Sequence, residues 1–452
     1  MKYSISSAAI ALAFALSACV DAPEAIRPAE PAVTPRDMAM ASQSPYLGPP
    51  GATLVVPVVV PPGLASPPFD VPRSLTIPPG FAIEVVARIP KARFLLTLPG
   101  GDFLVSQPST GSIILVRRQS GTLPLLFTFA SGLKLPHDMV LATVGGARYL
   151  YIGESNRVTR APYVAGDTIV GDLQPVVTAL PDHNSPGLGG SYAHSLKNIA
   201  VDGNGKLYVS IASSCNVCLS DGLATPVRAA IYQYNADGSG ARLFARGLRN
   251  AEGLAFVPGT SQLWITGNNR DNIRYPFNDG SGNYGRVIPA YVDDHPPELF
   301  TRVRLGDDFG WPFCNANPDT PNGYDDMPFD RDYDFLSSNV DCTTKQRVMK
   351  GIQAHSAPLG LRFLQSSSFP AAYRNGVVIA LHGSWNRTQP TGYKVIYFPW
   401  NSATKRPMQQ ADFVAGWLDP SGAWGRPVDI AGDGSGGLLI SDDRAGAIYR
   451  LK

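Results

Sequence analysis

One short pattern of apolar and polar positions recurs six times along the chain. Each copy opens with a turn rich in Gly, Asp or Pro and continues as a short apolar run, which in most copies ends in a small residue. The copies are LPGGDFLVS (98–106), VGGARYLYIG (144–153), DGNGKLYVS (202–210), PGTSQLWIT (258–266), YRNGVVIAL (373–381) and DGSGGLLIS (433–441). A turn followed by such a run predicts a β-strand, and helical periodicity is hard to find anywhere in the chain.

The spacing of these copies predicts the fold. Most of them lie about 45 to 60 residues apart, which is the length of a four-stranded propeller blade. The gap between the fourth and fifth copies is about twice as long and contains the polar insert RDNIRYPFNDGSGNYG (270–285). We therefore predict an all-β protein built as a six-bladed β-propeller. The alternative, an irregular β-sandwich, gives no reason for six repeats.

The first residues have the pattern of an export signal. Lys2 precedes an almost unbroken apolar run from Ile5 to Leu16, which is too short to span a bilayer, and Ser17-Ala18-Cys19 follows. This arrangement predicts a lipoprotein signal peptide over residues 1–18, with lipid on Cys19 as a membrane anchor. Val20 is not acidic, which favours the outer membrane and a domain that faces the periplasm. The alternative is an ordinary secretory signal with an incidental cysteine.

A segment rich in Pro and Ala follows the signal. It includes PEAIRPAEPAVTPR (23–36) and VVPVVVPPGLASPP (55–68), neither of which has a pattern that would bury a core. We therefore predict a disordered tether over residues 19–70 and the propeller over residues 71–452.

Composition excludes some classes of function. The 452 residues carry a formal net charge of +2 and only 16% charged residues, so nothing favours nucleic-acid binding. No segment after the signal has the length and apolarity of a membrane helix. The chain also lacks the motifs of NAD-binding and ATP-binding proteins, zinc proteases and serine hydrolases.

Four cysteines remain besides Cys19, and an even number in an exported protein suggests two disulfides. Three pairings are possible. We favour Cys215–Cys218 and Cys314–Cys342, because each pair closes a local loop. A redox or zinc role for Cys215 and Cys218 is the alternative.

The segments that lead into the strand before each copy, which we call the inlet loops, carry unusual polar residues. They include Pro136-His137-Asp138, Ala193-His194-Ser195, Arg249-Asn250, His355-Ser356-Ala357-Pro358 and Gly425-Arg426-Pro427. Polar residues also follow the copies, at Gln107, Glu154, Asn268-Asn269-Arg270, His382 and Asp442-Asp443. Equivalent positions of propeller blades meet around the axis at one face. We therefore predict one central site that includes four of the six histidines.

The chemistry of this predicted site suits a small anion and a hard cation. Arg249 and Arg426 can bind carboxylates through two parallel hydrogen bonds. Carbonyl groups at Asn269-Arg270, together with the acidic residues of the insert, suit Ca²⁺. The acidic residues are Asp271, Asp293, Asp294 and Glu298. A solvated acidic loop is the alternative for these carboxylates.

From about residue 75 the chain resembles the sorbosone dehydrogenase type of quinoprotein sugar dehydrogenase. The stretches that carry the resemblance are HSLKNIAVDGNGKLYVSIASSCNVC (194–218), GLRNAEGLAF (247–256), PPELF (296–300), DDFGWPFC (307–314), HSAPLGLRF (355–363), ALHGSWNRTQPTGYKV (380–395) and GRPVDIAGDGSGGLLISDD (425–443). The resemblance implies a six-bladed propeller that uses pyrroloquinoline quinone (PQQ) and Ca²⁺.

The same resemblance implies roles for individual residues. His194 matches the general base that takes a proton from the sugar, and Arg249 matches the arginine beside the reacting quinone carbonyl. The cofactor contacts it implies are His137, Asn250, His382, Arg387 and Arg426, with Trp385 as a further wall. The backbone carbonyls of Asn269 and Arg270 match the calcium ligands.

The predicted function is oxidation of an aldose, or of an aldehyde sugar such as sorbosone, to the lactone or acid, with electrons passing to an acceptor in the cell envelope. Ala193 stands where glucose-oxidising relatives carry an acidic residue, which argues against glucose. Pro427 follows Arg426, so the arginine pair of some relatives is not evident. Two alternatives are a non-catalytic propeller that binds carbohydrate or protein and a calcium-dependent lactone hydrolase.

Overall fold

The computed structural model describes residues 53–188, 190–366 and 368–452, and it confirms the predicted six-bladed β-propeller. Each blade is a sheet of antiparallel strands, with one added parallel pairing at the edge of blade 3. The innermost strand of each blade contacts the innermost strands of both neighbouring blades, so the six sheets close into a ring. The innermost strands of blades 1 to 6 are Leu95–Thr97, Met139–Val144, Ile199–Val201, Asn250–Phe256, Pro358–Gln365 and Pro427–Gly432.

The remaining strands of each blade lie outside the innermost strand. In blade 1 they are Phe103–Gln107, Ser112–Arg117 and Leu125–Ala130; in blade 2, Ala147–Glu154, Arg157–Pro162 and Gln174–Val177; in blade 3, Leu207–Ile211, Ala230–Tyr234, Arg242–Arg246 and Asp307–Asp308. In blade 4 they are Leu263–Asn268, Glu298–Val303, Val348–Ile352 and Asp325–Met327; in blade 5, Asn375–Leu381, Lys394–Asn401, Arg406–Pro407 and Ala411–Val414; in blade 6, Leu438–Asp442, Ala447–Leu451 and Ile83–Arg88.

Blade 6 closes the ring with strands from both ends of the propeller. Ile83–Arg88 pairs with Ala447–Leu451, so a strand from early in the chain forms the outer edge of the last blade. The repeat pattern did not predict this pairing, because the partners lie more than 300 residues apart in the sequence.

The small polar residue at the end of several repeat copies joins one blade to the next. The hydroxyl of Ser210 donates to the carbonyl of Ala251 over 2.7 Å, and Thr266 donates to Leu359 over 2.6 Å. Ser441 makes the corresponding bond from blade 6 to blade 1. These bonds satisfy carbonyl groups in, or just before, the innermost strand of the next blade, which gives the recurring small polar residue a structural reason.

Part of the predicted tether packs on the propeller. Leu54–Pro57 pairs with Ser74–Ile77, which is joined in turn to the edge of blade 5 through Thr76 and Ala415. The buried ring of Phe69 packs edge-on against Trp424 at 6.0 Å. Ordered chain therefore begins before the boundary placed at residue 71, since strand pairing and one aromatic anchor hold this segment. Residues 1–52, which contain Cys19 and the predicted signal peptide, lie outside the described residues.

The long gap between the fourth and fifth copies belongs to blade 4. Residues 269–297 connect its second and third strands and contain one helical turn, Pro289–Val292. Residues 304–347 follow the third strand and contain a small sheet of Cys314–Ala316 with Phe329–Arg331. Shorter elements elsewhere are the 3₁₀ turns Pro62–Leu64, Pro108–Thr110, Leu219–Leu223, Tyr333–Phe335, Cys342–Thr344 and Ala371–Tyr373 and the sheet of Leu418–Asp419 with Gly422–Ala423.

The favoured disulfide pairing is confirmed. Cys215 is bonded to Cys218 in blade 3, and Cys314 is bonded to Cys342 in the insert of blade 4. Within the described ranges, no helix is long and apolar enough to cross a bilayer.

Candidate active site

His194 presents one free nitrogen at the inlet loop of blade 3. Its Nδ1 lies 2.8 Å from the carbonyl oxygen of Ser213, which can only accept a hydrogen bond, so Nδ1 carries the proton and Nε2 keeps its lone pair. Burial of the ring and the charge of Arg249 lower the pKa of His194 to about 4. A partly exposed histidine that stays neutral near pH 7 is suited to accept a proton.

Arg249, from the inlet loop of blade 4, is buried and held by two partners. Its NH2 donates to Oδ2 of Asp271 over 3.1 Å, and its Nε donates to the carbonyl of Asn216 over 3.4 Å. The backbone N–H of Ser213 donates to the carbonyl of Arg249 over 2.8 Å. Ser213 therefore ties both residues predicted as catalytic, His194 and Arg249, to the same point of the fold.

His355 lies in the matching position of blade 5 but is turned into the insert. Its Nε2 donates to the carbonyls of Val292 and His295, and its Nδ1 is 3.4 Å from Oδ1 of Asp271. Burial opposes its charge, yet the contact with Asp271 outweighs burial and raises the pKa of His355. This histidine therefore supports Asp271, which in turn holds Arg249.

Glu252 is the centre of a second cluster, which consists of buried polar side chains. It lies beneath the face of the ring where the inlet loops meet, which we call the mouth. It accepts hydrogen bonds from Nδ2 of Asn198 at 3.0 Å and of Asn250 at 2.8 Å, and Nε2 of His137 lies 3.5 Å away. Burial opposes ionisation, but the contact with His137 and the charge of Arg93 lower the pKa of Glu252 to about 2. Glu252 lies within the stretch GLRNAEGLAF, but no sequence pattern marks it as a residue of the site.

The structure places His137 and Asn250 beneath the surface of the mouth. His137 is fully buried, with its ring 4.3 Å from that of Phe94, and both of its ring nitrogens lack a hydrogen bond. The side chain of Asn250 is buried and occupied by Glu252. The resemblance implied that both contact a cofactor. Phe94 packs against His137, and Glu252 accepts a hydrogen bond from Asn250, so a cofactor contact by either residue stays a prediction.

Arg93 is a residue of the site that sequence reasoning missed. It precedes the innermost strand of blade 1, and its NH1 donates to Oδ2 of Asp443 over 2.8 Å while its buried Nε has no partner. His382 contacts the other oxygen of Asp443 over 2.9 Å. His382 and Arg93 outweigh burial and hold the pKa of Asp443 well below its usual range. Its position in the chain could have found it, because Arg93 lies in the inlet loop of blade 1, which is equivalent to the loops that carry polar residues in the other five blades.

Arg426 lies beside His382 and is oriented by backbone groups. Its Nε donates to the carbonyl of His382 and its NH2 to that of Gly383, both over 2.9 Å. The guanidinium lies 5.7 Å from the ring centre of Tyr393. These contacts leave NH1 for another acceptor, so Arg426 is oriented to bind an anion at the mouth.

Arg387 and Trp385 lie towards the insert of blade 4. Arg387 donates from Nε to the carbonyl of Gln389 over 3.1 Å, and its NH1 is 3.8 Å from Oδ1 of Asp294. Trp385 is 61% exposed. Arg387 therefore faces the insert of blade 4, and Trp385 is open to solvent.

The metal ligands implied at Asn269 and Arg270 are backbone carbonyls, and no described residue donates a hydrogen bond to either of them. Oδ1 of the neighbouring Asn268 is buried and also without a partner. The Arg270 guanidinium pairs with Asp332 and Asp334, away from these oxygens. This group of oxygens suits a hard cation.

The carboxylates of the insert have separate partners of their own. Asp293 accepts a hydrogen bond from the backbone of Thr388, and Asp294 faces Arg387. Glu298 accepts from the backbone of Asn269 over 2.6 Å, and burial raises the pKa of Glu298 to about 7. Among the described residues, no three His, Cys, Asp or Glu side chains form a metal cage.

Comparison with known proteins shows the family to which this chain belongs. The profile of a family described as TrAA12-like matches residues 75–452. The chain belongs to the TrAA12-like family. An uncharacterized protein of Borreliella burgdorferi is 25% identical over 394 residues, which covers 84% of this chain and 92% of that protein.

Solved structures agree with this TrAA12-like fold. The holo form of the pyranose dehydrogenase PQQ domain from Coprinopsis cinerea superposes with a TM-score of 0.68 at 18% identity and covers 87% of this chain and 100% of its own. The calcium structure of a Trichoderma reesei carbohydrate-active enzyme of family AA12 gives a TM-score of 0.67 at 19% identity, over 83% and 96% of the two chains. These likenesses show the fold; the narrower sorbosone dehydrogenase resemblance remains an expectation.

Proposed function

We propose that this protein is a PQQ-dependent sugar dehydrogenase. The observation that carries the proposal is the pair of His194 and Arg249 at the mouth of the ring, where a neutral histidine has a free Nε2 beside a fixed positive charge. The family profile supports it, as does the PQQ domain of the Coprinopsis cinerea pyranose dehydrogenase on the same fold.

The donors at the mouth fit such a cofactor. PQQ is a small tricarboxylate, and Arg426 offers a free NH1 to a carboxylate while Arg93 has a buried Nε with no partner. His382 lies between these two arginines on Asp443. The free carbonyls of Asn269 and Arg270 fit Ca²⁺ as a second component.

His194 and Arg249 would each have a separate role in the reaction. PQQ, when bound, would supply the acceptor for the hydride that leaves the sugar carbon. Nε2 of His194 takes the proton of the sugar hydroxyl, and the Ser213 carbonyl keeps that histidine in the required tautomer. Arg249, held by Asp271, would present its positive charge to the reacting quinone carbonyl, whose oxygen becomes negatively charged during the reaction.

Several finer expectations belong to the same proposal. The substrate would be an aldose or an aldehyde sugar such as sorbosone, and electrons would pass to an acceptor of the cell envelope. Lipid on Cys19 would hold the protein at a membrane, facing the periplasm.

One assay separates the candidate functions. Purified protein is incubated with PQQ and Ca²⁺, and dye reduction is measured with a panel of aldoses and aldehyde sugars, with cofactor-free protein as the control. We expect reduction only in the presence of cofactor and sugar. If no dye is reduced, the same protein is tested for binding and for hydrolysis. Carbohydrate binding without PQQ binding would favour a non-catalytic propeller, and hydrolysis of a lactone would favour the hydrolase.

A further inference from the structure

A short loop of blade 3 touches both residues of the proposed catalytic pair. Residues 213–221, which we call the cystine loop, follow the strand Leu207–Ile211 and are closed by the Cys215–Cys218 disulfide. At its start, Ser213 accepts from Nδ1 of His194 and donates from its backbone to the carbonyl of Arg249.

The end of the cystine loop is fixed to its beginning. The backbone N–H and the hydroxyl of Ser214 both donate to the carboxylate of Asp221, each over 2.7 Å. Asp221 is fully buried and also pairs with Arg228. The loop is therefore a rigid unit and not a free connection.

Asn216, between the two cysteines, makes four hydrogen bonds. Its Oδ1 accepts from the backbone N–H of Asp271 and its Nδ2 donates to the backbone carbonyl of the same residue, both over 2.9 Å. Its own carbonyl accepts from Nε of Arg249 at 3.4 Å and from Nε1 of Trp311 at 3.2 Å. Asn216 thus holds Arg249 directly and also fixes the backbone of Asp271, the carboxylate partner of Arg249.

We propose that Asn216 is a positioning residue and that the Cys215–Cys218 disulfide holds it where His194 and Arg249 are set against each other. This proposal rests on the proposed function only for its kinetic consequence. The geometric part concerns the chain alone.

The two disulfides differ in a way that supports this assignment. Cys314 and Cys342 are buried in the hydrophobic core shared by blades 3 and 4 and are 28 residues apart, so their bond restricts a long loop of the unfolded chain. Cys215 and Cys218 are partly exposed and only 3 residues apart, so their bond restricts the unfolded chain less. The shorter bond therefore acts mainly on local geometry.

The first test measures the titration of His194 by NMR in the full chain without cofactor, with the His194→Gln variant to assign its signal. The charged groups that face His194 are Arg249, Glu252 and Asp271, and Arg249 has the largest effect of the three. If Asn216→Ala or C215S/C218S lets Arg249 move away, the pKa of His194 should rise, by about one unit. C314S/C342S is the matched control and should leave this titration unchanged.

The second test compares kinetics with thermal stability. Misplacement of a reacting group by about 1 Å can cost 10²-fold, so we expect kcat to fall about 10- to 100-fold in Asn216→Ala and in C215S/C218S, with a smaller change in KM. C314S/C342S should lose more in Tm and keep its kcat at temperatures where it is folded.

Two results would overturn the proposal: an unchanged titration of His194 in both Asn216→Ala and C215S/C218S, or an equal change in C314S/C342S. The use of two variants guards against one that does not fold. If the parent protein reduces no dye with any sugar, the proposed function fails, but the titration still decides whether the cystine loop positions His194.

Discussion

The inlet loops of blades 2 and 3 place a histidine at the same point of the repeat and surround it differently. His137 in blade 2 is fully buried against Phe94 and faces the carboxylate of Glu252. His194 in blade 3 is partly exposed, and Ser213 occupies its Nδ1 so that Nε2 is free. The repeat brings both residues to the axis, but the contacts made by other segments decide which of them can react.

The largest expected effect separates the two histidines by activity. His194→Ala should lower kcat for sugar oxidation about 10²- to 10⁴-fold, the usual contribution of a general base, while PQQ binding persists. His137→Ala should lose far less activity in the folded protein. Dye reduction under saturating sugar and cofactor measures both. A greater loss in His137→Ala than in His194→Ala would reverse the comparison.

The next effect separates His137 and His194 by their contributions to the free energy of unfolding. His137→Ala removes a fully buried ring packed on Phe94 and leaves Glu252 without its histidine, so the free energy of unfolding should fall by about 2 to 4 kcal/mol. His194→Ala, at a partly exposed position, should cost less. Urea unfolding followed by tryptophan fluorescence gives both values. Equal losses would show that the two surroundings do not differ in packing.

The third effect is a dependence on pH. The pKa of His194 is lowered from 6.5 to about 4, so between these values the unfolded chain binds a proton that the folded chain does not. Stability should therefore fall as the pH drops from 6.5 to 4, and His194→Gln should flatten this part of the curve. The acid limb of kcat/KM should lie near pH 4. A limb near pH 6.5 would mean that the histidine is not desolvated as the structure indicates.

The smallest effect concerns Lys197, a fully buried lysine of the blade 3 inlet loop that sequence reasoning missed. Its Nζ donates to the carbonyl of Ser195, and burial lowers its pKa to about 7 from 10.5. Because the unfolded chain keeps this proton up to pH 10.5, Lys197→Met should raise Tm most at or below pH 7. The gain should shrink towards pH 10.5.

Lys134, in the chain leading to blade 2, provides the control for that experiment because its side chain is exposed. Lys134→Met should change Tm little at any pH. A pH-independent gain in Lys197→Met, equal to that of Lys134→Met, would argue against a desolvated ammonium at position 197.

The sequence predicted the number of blades and most of the polar residues at the axis, because both follow from local patterns that recur. DGNGKLYVS and PGTSQLWIT each mark a second strand, and the residues before the preceding strand lie at the mouth. The burial of His137 could not be predicted in this way. It depends on Phe94 from another blade and on Glu252 from a third.

Other parts of the site were missed for a similar reason. The contact of Asn216 with Asp271 joins residues 55 positions apart, and that of Arg93 with Asp443 joins residues 350 positions apart. No periodicity in the chain marks such pairs, because each depends on how two blades are placed side by side. The carboxylates of the insert show the opposite case. The sequence predicted that they act together because they are close in the chain, but in the structure they contact different partners.

The pairing of Ile83–Arg88 with Ala447–Leu451 has a consequence for how the chain is made. During synthesis, the outer strand of blade 6 is made long before its partner, because more than 300 residues separate the two strands. An incomplete chain therefore keeps an open sheet edge, which invites proteolysis or association with other chains. The ring can therefore close only when Ala447–Leu451 is available to pair with the early strand.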